Sequence, residues 1–431
     1  MGAAPVHRSL PRELGLGHAV LLGLGSIVGT GVFVSIGVAA GIAGPAVVLA
    51  VVVAAAVATA NGLSSAQLAA AHPVSGGTYE YGYRYLGRRF GFLAGWVFLA
   101  AKAASAATAA LGFGGYTALL LGWGTGAVLR VGLGLGAVAV LAVVVLAGVR
   151  LSAWANALVV GVALGSLLLF AGVALASGRA ANFRPFFAGG APGLLEATAL
   201  MFVAYTGYGR IATLGEEVRE PRVTIPRAII TTLVVSLALY GLVAVAGVGA
   251  AGAAGLGAAA DTGAPLELVG RGLSLPGIDR IVAVGAIAAT LGVLLNLLLG
   301  LSRVLLAMGR RGDMPSATAR LDRAGRTPVV AVTAVALLIG GLVAVGDVRT
   351  TWSFSAFTVL VYYAVTNLTA LRLPAADRRF PRWVAGAGLV ACLALAFFVD
   401  RPVWLTGLGL IAAGLVLHEA THWCRGRRHA R

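Results

Sequence analysis

Long apolar stretches follow one another along almost the whole chain, and they constrain the fold more than any other feature. A helix that crosses a lipid bilayer needs about 20 mainly apolar residues. Such runs lie near 17–43, 46–71, 92–121, 127–148, 155–177, 193–215, 228–251, 277–308, 328–346, 352–371, 383–399 and 402–420. They predict an all-α polytopic membrane protein with twelve transmembrane helices. The small-residue stretch 252–276 is expected to form an external loop with a short helix.

The charge distribution supports this interpretation. The chain is 59% hydrophobic and only 11% charged, whereas a soluble enzyme carries about twice that charged fraction. The net charge of +17 would suggest nucleic acid as a partner. With the N-terminus inside, however, 24 arginines fall in inside segments and seven in outside ones, as the positive-inside rule requires. We therefore expect a multi-pass protein of the cell membrane with both termini cytoplasmic, and no binding to nucleic acid.

Two of the predicted spans contain glycine and hydroxyl residues near their middle. The first reads GSIVGTG over residues 25–31, and the sixth reads YTGYG over residues 205–209. Unwound backbone is tolerated at membrane depth only where it is buried in protein or lines a cavity. Close helix packing through small residues, or a dinucleotide loop at 23–29, are the alternatives. Because five spans separate the two interruptions, they indicate a secondary transporter built from two inverted five-helix repeats.

Several motifs resemble the amino acid–polyamine–organocation (APC) superfamily, and within it the permeases similar to cationic amino acid transporters. They comprise 25–33, 63–79, 204–208, 216–227, 296–303 and 308–315, so that the resemblance covers about residues 12–380. It implies a leucine-transporter-type fold with two additional C-terminal helices. The expected divisions are an N-terminal segment 1–16, repeats 17–177 and 193–371, a helix pair 383–420 and a basic tail 421–431.

The broken helices predict how an amino acid zwitterion is bound. Helix N-termini present free N–H groups and C-termini present free carbonyls, and the helix dipoles reinforce both. The groups expected to bind the carboxylate are in Ser26, Gly29, Thr30 and Gly31. The carbonyls expected to bind the ammonium are those of Ile27, Ala204, Tyr205 and Gly207. The side-chain pocket is expected to contain Phe202, Val203, Tyr205 and Tyr208. The resemblance implies the same division of roles.

The spans offer little negative charge for a cationic side chain. No acidic residue lies in the central part of spans 1, 3, 8 or 10, and Glu196 lies near the outer end of span 6. A buried cation needs a carboxylate partner. We therefore expect a neutral amino acid as the substrate, with Glu196 as an interfacial residue or a gate.

Lys102 is the single lysine of the chain, and it falls inside the third predicted span. An ionisable residue within a membrane span is a functional hypothesis by default, and a buried lysine, unlike an arginine, can release its proton. In the related permeases a lysine of the fifth span replaces a bound sodium ion. Here the aligned position holds Ala163, with Phe170 as the anchor of the alignment. Lys102 is therefore predicted to supply the ammonium near the first break and to carry the coupled proton, or to substitute for sodium; the alternative is a lysine that caps a helix end.

The tail residues 418–422 read HEATH, which fits the H-E-x-x-H zinc-protease pattern. The motif lies at the cytoplasmic end of the last predicted span and outside any expected cavity, so an interfacial helix end is the preferred interpretation, and neither a metal nor another cofactor is expected. Secondary transport by proton symport or exchange is the leading hypothesis. The alternatives are an amino acid/polyamine antiporter, a membrane zinc hydrolase and a non-transporting sensor.

Overall fold

The computed structural model describes residues 14–73, 76–148, 153–212, 218–322 and 325–429, with only the backbone of 421–429. The predicted segment 1–16 therefore lies mostly outside the described residues, as do the side chains of the predicted tail 421–431. The acidic pair at 216–217 also lies outside them. The described residues form helices joined by short connections, and their one β-bridge pairs Leu14 with Val218.

Sixteen α-helices are found in the described part of the chain. The first eight are α1 (Leu16–Ile27), α2 (Ile36–Ala43), α3 (Val47–Ala71), α4 (Thr78–Tyr85), α5 (Arg88–Leu120), α6 (Ala127–Leu146), α7 (Ala153–Ala176) and α8 (Gly190–Tyr205). The other eight are α9 (Gly209–Ala212), α10 (Pro221–Ala260), α11 (Pro265–Arg271), α12 (Ile278–Arg311), α13 (Val329–Val345), α14 (Val348–Leu371), α15 (Arg382–Ala396) and α16 (Arg401–His429). Each of the twelve apolar runs coincides with one of these helices or with an interrupted pair of them.

Eight helical stretches of the described residues are long and apolar enough to cross a bilayer, which is consistent with a polytopic membrane protein. They are Gly31–Ala71, Arg88–Leu120, Ala127–Leu146, Trp154–Ala176, Pro221–Ala260, Ile278–Arg311, Val348–Leu371 and Arg401–Ala420. Three shorter apolar helices are α1, α13 and α15. By length and composition, therefore, the described helices include eight candidate spans, and the number of twelve stays a prediction.

Both predicted helix interruptions are present in the structure. Helix α1 ends at Ile27, Val28 is extended, and the chain resumes as a π-helical turn over Gly31–Ser35 that leads into α2. Helix α8 ends at Tyr205, and a 3₁₀ turn over Thr206–Tyr208 leads into α9. The glycine cluster 25–31 predicted a break from Gly25 onward, whereas α1 continues to Ile27. A Cβ at Gly25 would lie 2.6 Å from the side-chain oxygen of Asn156, so this glycine serves close packing of α1 against α7.

The stretch 252–276 contains more helix than expected. Helix α10 continues to Ala260 across a kink at Gly252, where a φ of 72° requires a residue without a Cβ. The short helix α11 follows, as predicted. The buried guanidinium of Arg130 then donates to the carbonyls of Asp261 and Gly346 and so holds both connections against the start of α6.

The last helix, α16, packs against the helix bundle through two glycines. A Cβ at Gly407 would lie 2.2 Å from the ring of Phe357, and one at Gly414 would lie 2.4 Å from the indole of Trp96. The indole N–H of Trp96 donates to the Leu410 carbonyl at 2.9 Å. These glycines therefore provide the flat surface that brings α16 against α5 and α14.

We expect Gly414→Leu to lower the thermal unfolding temperature of the purified protein, because overpacking of a tight contact costs about 1–3 kcal/mol. Gly409→Leu is the matched control, since a Cβ at Gly409 has nothing within 4 Å. Equal unfolding temperatures for the two variants in a thermal-shift assay would contradict the proposed packing role of Gly414.

Candidate functional site

The two helix breaks cross each other in the middle of the helix bundle. A Cβ at Gly207 would lie 2.3 Å from the carbonyl oxygen of Ser26, and one at Gly31 would lie 2.5 Å from the Cβ of Ala204. Real Cβ atoms do not approach other atoms this closely, so glycine is required on each side of the crossing. The glycines of the two interruptions thus bring the two unwound segments into direct contact.

Tyr240 of α10 joins the free carbonyls of both breaks. Its hydroxyl oxygen lies 2.7 Å from the carbonyl oxygen of Ile27 and 3.3 Å from that of Ala204. These are two of the carbonyls predicted to bind the substrate ammonium. A carbonyl oxygen has two lone pairs, so each can accept a second hydrogen bond. Tyr240 was not among the site residues predicted from the sequence. The one sequence feature that could have indicated it is a phenol side chain within an apolar run.

A cavity of about 330 Å³ adjoins the crossing, which is within the range of small-molecule sites. Its walls come from both breaks and from α5, α12 and α14. The predicted site residues that line it are Ser26, Ile27, Thr30, Gly31, Lys102, Val203, Ala204 and Gly207. Lining residues that the sequence analysis did not select include Phe98, Ser105, Thr206, Asn296, Trp352 and Tyr363.

Four predicted site residues pack behind the cavity wall. A Cβ at Gly29 would meet Val293 of α12, and the ring of Phe202 lies edge-on to that of Tyr363 with centroids 5.6 Å apart. The hydroxyl of Tyr205 donates to the Val51 carbonyl at 3.2 Å. The ring of Tyr208 is also buried, with its centroid 5.6 Å from that of Tyr363. These side chains support the site through packing and do not line the cavity.

Thr30 contributes a polar atom that the protein itself leaves unsatisfied. The residue is 4% exposed and lines the cavity. Its buried hydroxyl has no hydrogen-bond partner. An unsatisfied buried polar group costs about 1–3 kcal/mol. A ligand in the cavity can remove that cost by bonding to this hydroxyl.

Lys102 contacts the second break. Its ammonium donates to the hydroxyl oxygen of Thr206 at 2.8 Å, and that hydroxyl donates to the Val203 carbonyl at 2.7 Å. The sequence analysis had expected Lys102 near the first break, and the cavity is in fact lined by both breaks. At the position aligned with the family's fifth-span lysine, Ala163 is buried in α7, as is the anchor residue Phe170.

On two long helices the cavity lies toward one side of the bundle. Its lining extends on α5 from Gly95 to Ser105 and on α12 from Val293 to Ala307, which are the halves next to the arginine-rich helix ends. Farther along α5, the Tyr116 hydroxyl donates to the Phe33 carbonyl at 2.6 Å and joins α5 to the π-helical turn. On α5 and α12 the described cavity lining therefore lies toward the arginine-rich helix ends.

Glu196 is not among the residues that line the cavity. Its carboxylate accepts from the guanidinium of Arg349 at 3.2 Å, and Arg349 also approaches Asp400 at 3.4 Å. Arg349 follows the start of α14, so this ion pair joins α8 to α14. Glu196 therefore has no contact with the cavity, and its role as a gate stays a prediction.

The two described side chains of the tail motif face different surroundings. His418 is buried, stacks on Phe92 at 4.4 Å and lies 3.8 Å from the Asp313 carboxylate. Glu419 is exposed and pairs with Arg89 at 2.6 Å. The side chain of His422 lies outside the described residues. Among the described residues no cluster of three His, Cys, Asp or Glu side chains can hold a metal ion.

Asp313 also anchors the connection before α5. Its carboxylate accepts from the hydroxyls of Tyr79 and Tyr83, both at 2.6 Å. Burial, together with these bonds to the carboxylate, raises the pKa of both phenols, so they remain donors at neutral pH. Tyr79 lines the cavity, and the cluster therefore fixes one edge of the opening.

Comparison with known proteins gives a consistent result. The model of the family described as "Amino acid permease" matches residues 18–417. An uncharacterised transporter of Mycobacterium tuberculosis is 40% identical over 95% of this chain and 91% of its own length. The branched-chain amino acid permease BcaP of Bacillus subtilis is 28% identical over 100% of this chain and 96% of its own length. Cationic amino acid transporter 4 of Mus musculus is 30% identical over 73% of this chain and 52% of its own length.

We expect Gly207→Ala to weaken ligand binding at the cavity roughly ten- to a hundredfold, because the added methyl group forces the two breaks apart at a cost of about 1–3 kcal/mol. Isothermal titration with amino acids measures the change. Gly241→Ala is the control, since a Cβ there has nothing within 4 Å and the residue lies outside the cavity. Unchanged affinity in Gly207→Ala would show that the tight crossing is not needed for binding.

Proposed function

The chain belongs to the amino acid permease family, and from that premise we propose that it is a secondary active transporter of amino acids. The crossing of the two breaks carries the proposal. It places the first N–H groups of one helical segment and the last carbonyls of two others beside one cavity, where unsatisfied helix ends can bind a zwitterion. BcaP, which is named as a branched-chain amino acid permease, supports an amino acid as the ligand.

The carboxylate is proposed to bind the N–H groups of Thr30 and Gly31, which line the cavity, together with the hydroxyl of Thr30. The ammonium is proposed to bind the remaining lone pairs of the Ile27 and Ala204 carbonyls. Tyr240 holds these two carbonyls at a fixed separation, so the site is organised before the ligand arrives. In this arrangement the two breaks bind only the α-carboxylate and the α-ammonium of the substrate. The substrate side chain contacts the cavity walls formed by α5 and α14.

The cavity lining disfavours a cationic side chain. No aspartate or glutamate is among the described lining residues, whereas Lys102 is. Placing a second positive charge beside this lysine without a carboxylate partner is costly in a site of low dielectric constant. We propose that side chains without a positive charge are accepted and that lysine and arginine are rejected.

Transport is proposed to follow alternating access between two inverted repeats, 17–177 and 193–371, within twelve spans and with both termini cytoplasmic. The arginine-rich side is then the cytoplasmic side, and the cavity is proposed to open to it. Closure of that side and opening of the Tyr116–Phe33 contact would expose the same site to the other side. No ATPase motif is needed for such a cycle.

The proposal is tested by uptake of labelled amino acids into proteoliposomes that contain the purified protein, with and without an inward pH gradient. We expect saturable uptake that unlabelled substrate suppresses. A correctly folded protein that takes up none of the twenty amino acids under either condition would refute transport and favour a sensor.

We propose that Lys102 carries the coupled proton, and we expect both Lys102→Gln and Lys102→Arg to abolish stimulation of uptake by the pH gradient. Glutamine has no proton to release, and arginine does not release its proton near neutral pH. The stimulation ratio, measured at equal amounts of reconstituted protein, is the readout. Arg280→Gln removes a positive charge outside the cavity, and this variant should retain the stimulation of uptake by the pH gradient. Retained stimulation in Lys102→Gln would refute the coupling role.

A further inference from the structure

Positive charge is concentrated on the cavity wall. The ionisable side chains among the lining residues include the cations Lys102, Arg210 and Arg303 and no carboxylate. Lys102 lies deepest, next to the second break, while the side chains of Arg210 and Arg303 are exposed.

The hydrogen bonds of Lys102 leave capacity for a ligand. An ammonium group has three N–H donors, and one of them is used by the Thr206 hydroxyl. Thr206 gives its own hydrogen to the Val203 carbonyl, so it is purely an acceptor toward Lys102. Lys102 forms no ion pair with any side chain that the structure describes. Two of its donors are therefore directed at no described acceptor.

The group that would complete the hydrogen bonds of Lys102 and compensate its charge is a negatively charged acceptor. A charge-assisted hydrogen bond to a carboxylate is about twice as strong as a neutral one and compensates the ammonium at the same time. An aliphatic side chain supplies neither the charge nor the acceptor, and a neutral polar side chain supplies only the acceptor. The hydroxyl of Thr30 is not a substitute, because it is neutral and forms no hydrogen bond with Lys102.

Resting on the proposed function, we propose that the cavity accepts amino acids with a carboxylate on the side chain, such as glutamate and aspartate, and that Lys102 is the counter-ion of that carboxylate. The α-carboxylate and the α-ammonium are bound by the two breaks, so the side-chain carboxylate is the group left for Lys102. The neutral substrates expected from the sequence leave the same ammonium uncompensated.

The proposal also gives a physical reason for proton coupling. An isolated charge in a closed cavity is costly, while a paired ammonium and carboxylate compensate each other. A proton on Lys102 and an anionic side chain therefore favour each other's binding. Each occupied site would then carry one proton, bound to Lys102, for one acidic amino acid.

The test is equilibrium binding of labelled L-glutamate and L-leucine to the purified full chain at one pH and without a gradient, which separates binding from coupling. Wild type, Lys102→Met and Lys102→Arg are compared, each checked for folding by its unfolding temperature. We expect wild type to bind glutamate. In Lys102→Met the ratio of glutamate to leucine affinity should fall roughly ten- to a hundredfold, and in Lys102→Arg it should fall much less. Arg280→Met, outside the cavity, should leave the ratio as in wild type.

Three outcomes would overturn the inference, and they are distinguishable. If wild type binds leucine but neither glutamate nor aspartate, the substrate class is wrong while amino acid transport stands. If Lys102→Met loses both ligands equally, the lysine binds the α-carboxylate that every amino acid shares. If folded wild type binds no amino acid at all, the proposed function itself fails.

Discussion

The structure depends on the satisfaction of backbone hydrogen bonds where two helices are interrupted at membrane depth. Lipid offers no partners, so each freed carbonyl and N–H group must find one inside the protein. The Tyr240 hydroxyl lies within hydrogen-bond distance of the carbonyls of Ile27 and Ala204, and the Thr206 hydroxyl donates to the Val203 carbonyl. The Gly29 carbonyl accepts from the N–H groups of Val32 and Phe33. Because these partners are internal, only a few polar groups face the cavity unsatisfied, and those groups define what a ligand must supply.

Close approach of backbone to backbone is the second requirement, and glycine meets it. Gly31 and Gly207 permit the crossing, while Gly25 and Gly29 bring α1 against α7 and α12. The glycine cluster of the first span thus combines two explanations that the sequence analysis had kept as alternatives. Some of its members serve close helix packing, and others border the unwound site.

The interruptions and much of the cavity wall were predictable because their chemistry is local. Glycine and hydroxyl residues within an apolar run indicate a helix break, and this indication does not depend on which other helices the run packs against. The roles of Phe202 and Tyr208 were not predictable in the same way. Each lies next to a break in sequence, yet each ring points toward Tyr363 of α14, behind the cavity wall. The direction of a side chain beside an irregular turn depends on helices that are distant in sequence, and Tyr240 was missed for the same reason.

Lys102 illustrates what can be predicted from the sequence and what requires the tertiary structure. The sequence by itself determined that this chain is an apolar polytopic helical protein, that two of its helices are interrupted, and that one lysine lies inside a span, since hydropathy and residue type are local properties. Only the tertiary structure decided that Lys102 donates to Thr206 at the second break, and that no described carboxylate shares its cavity. Helices α5 and α8 are far apart along the chain, so the electrostatic environment of the lysine is set by how the bundle packs.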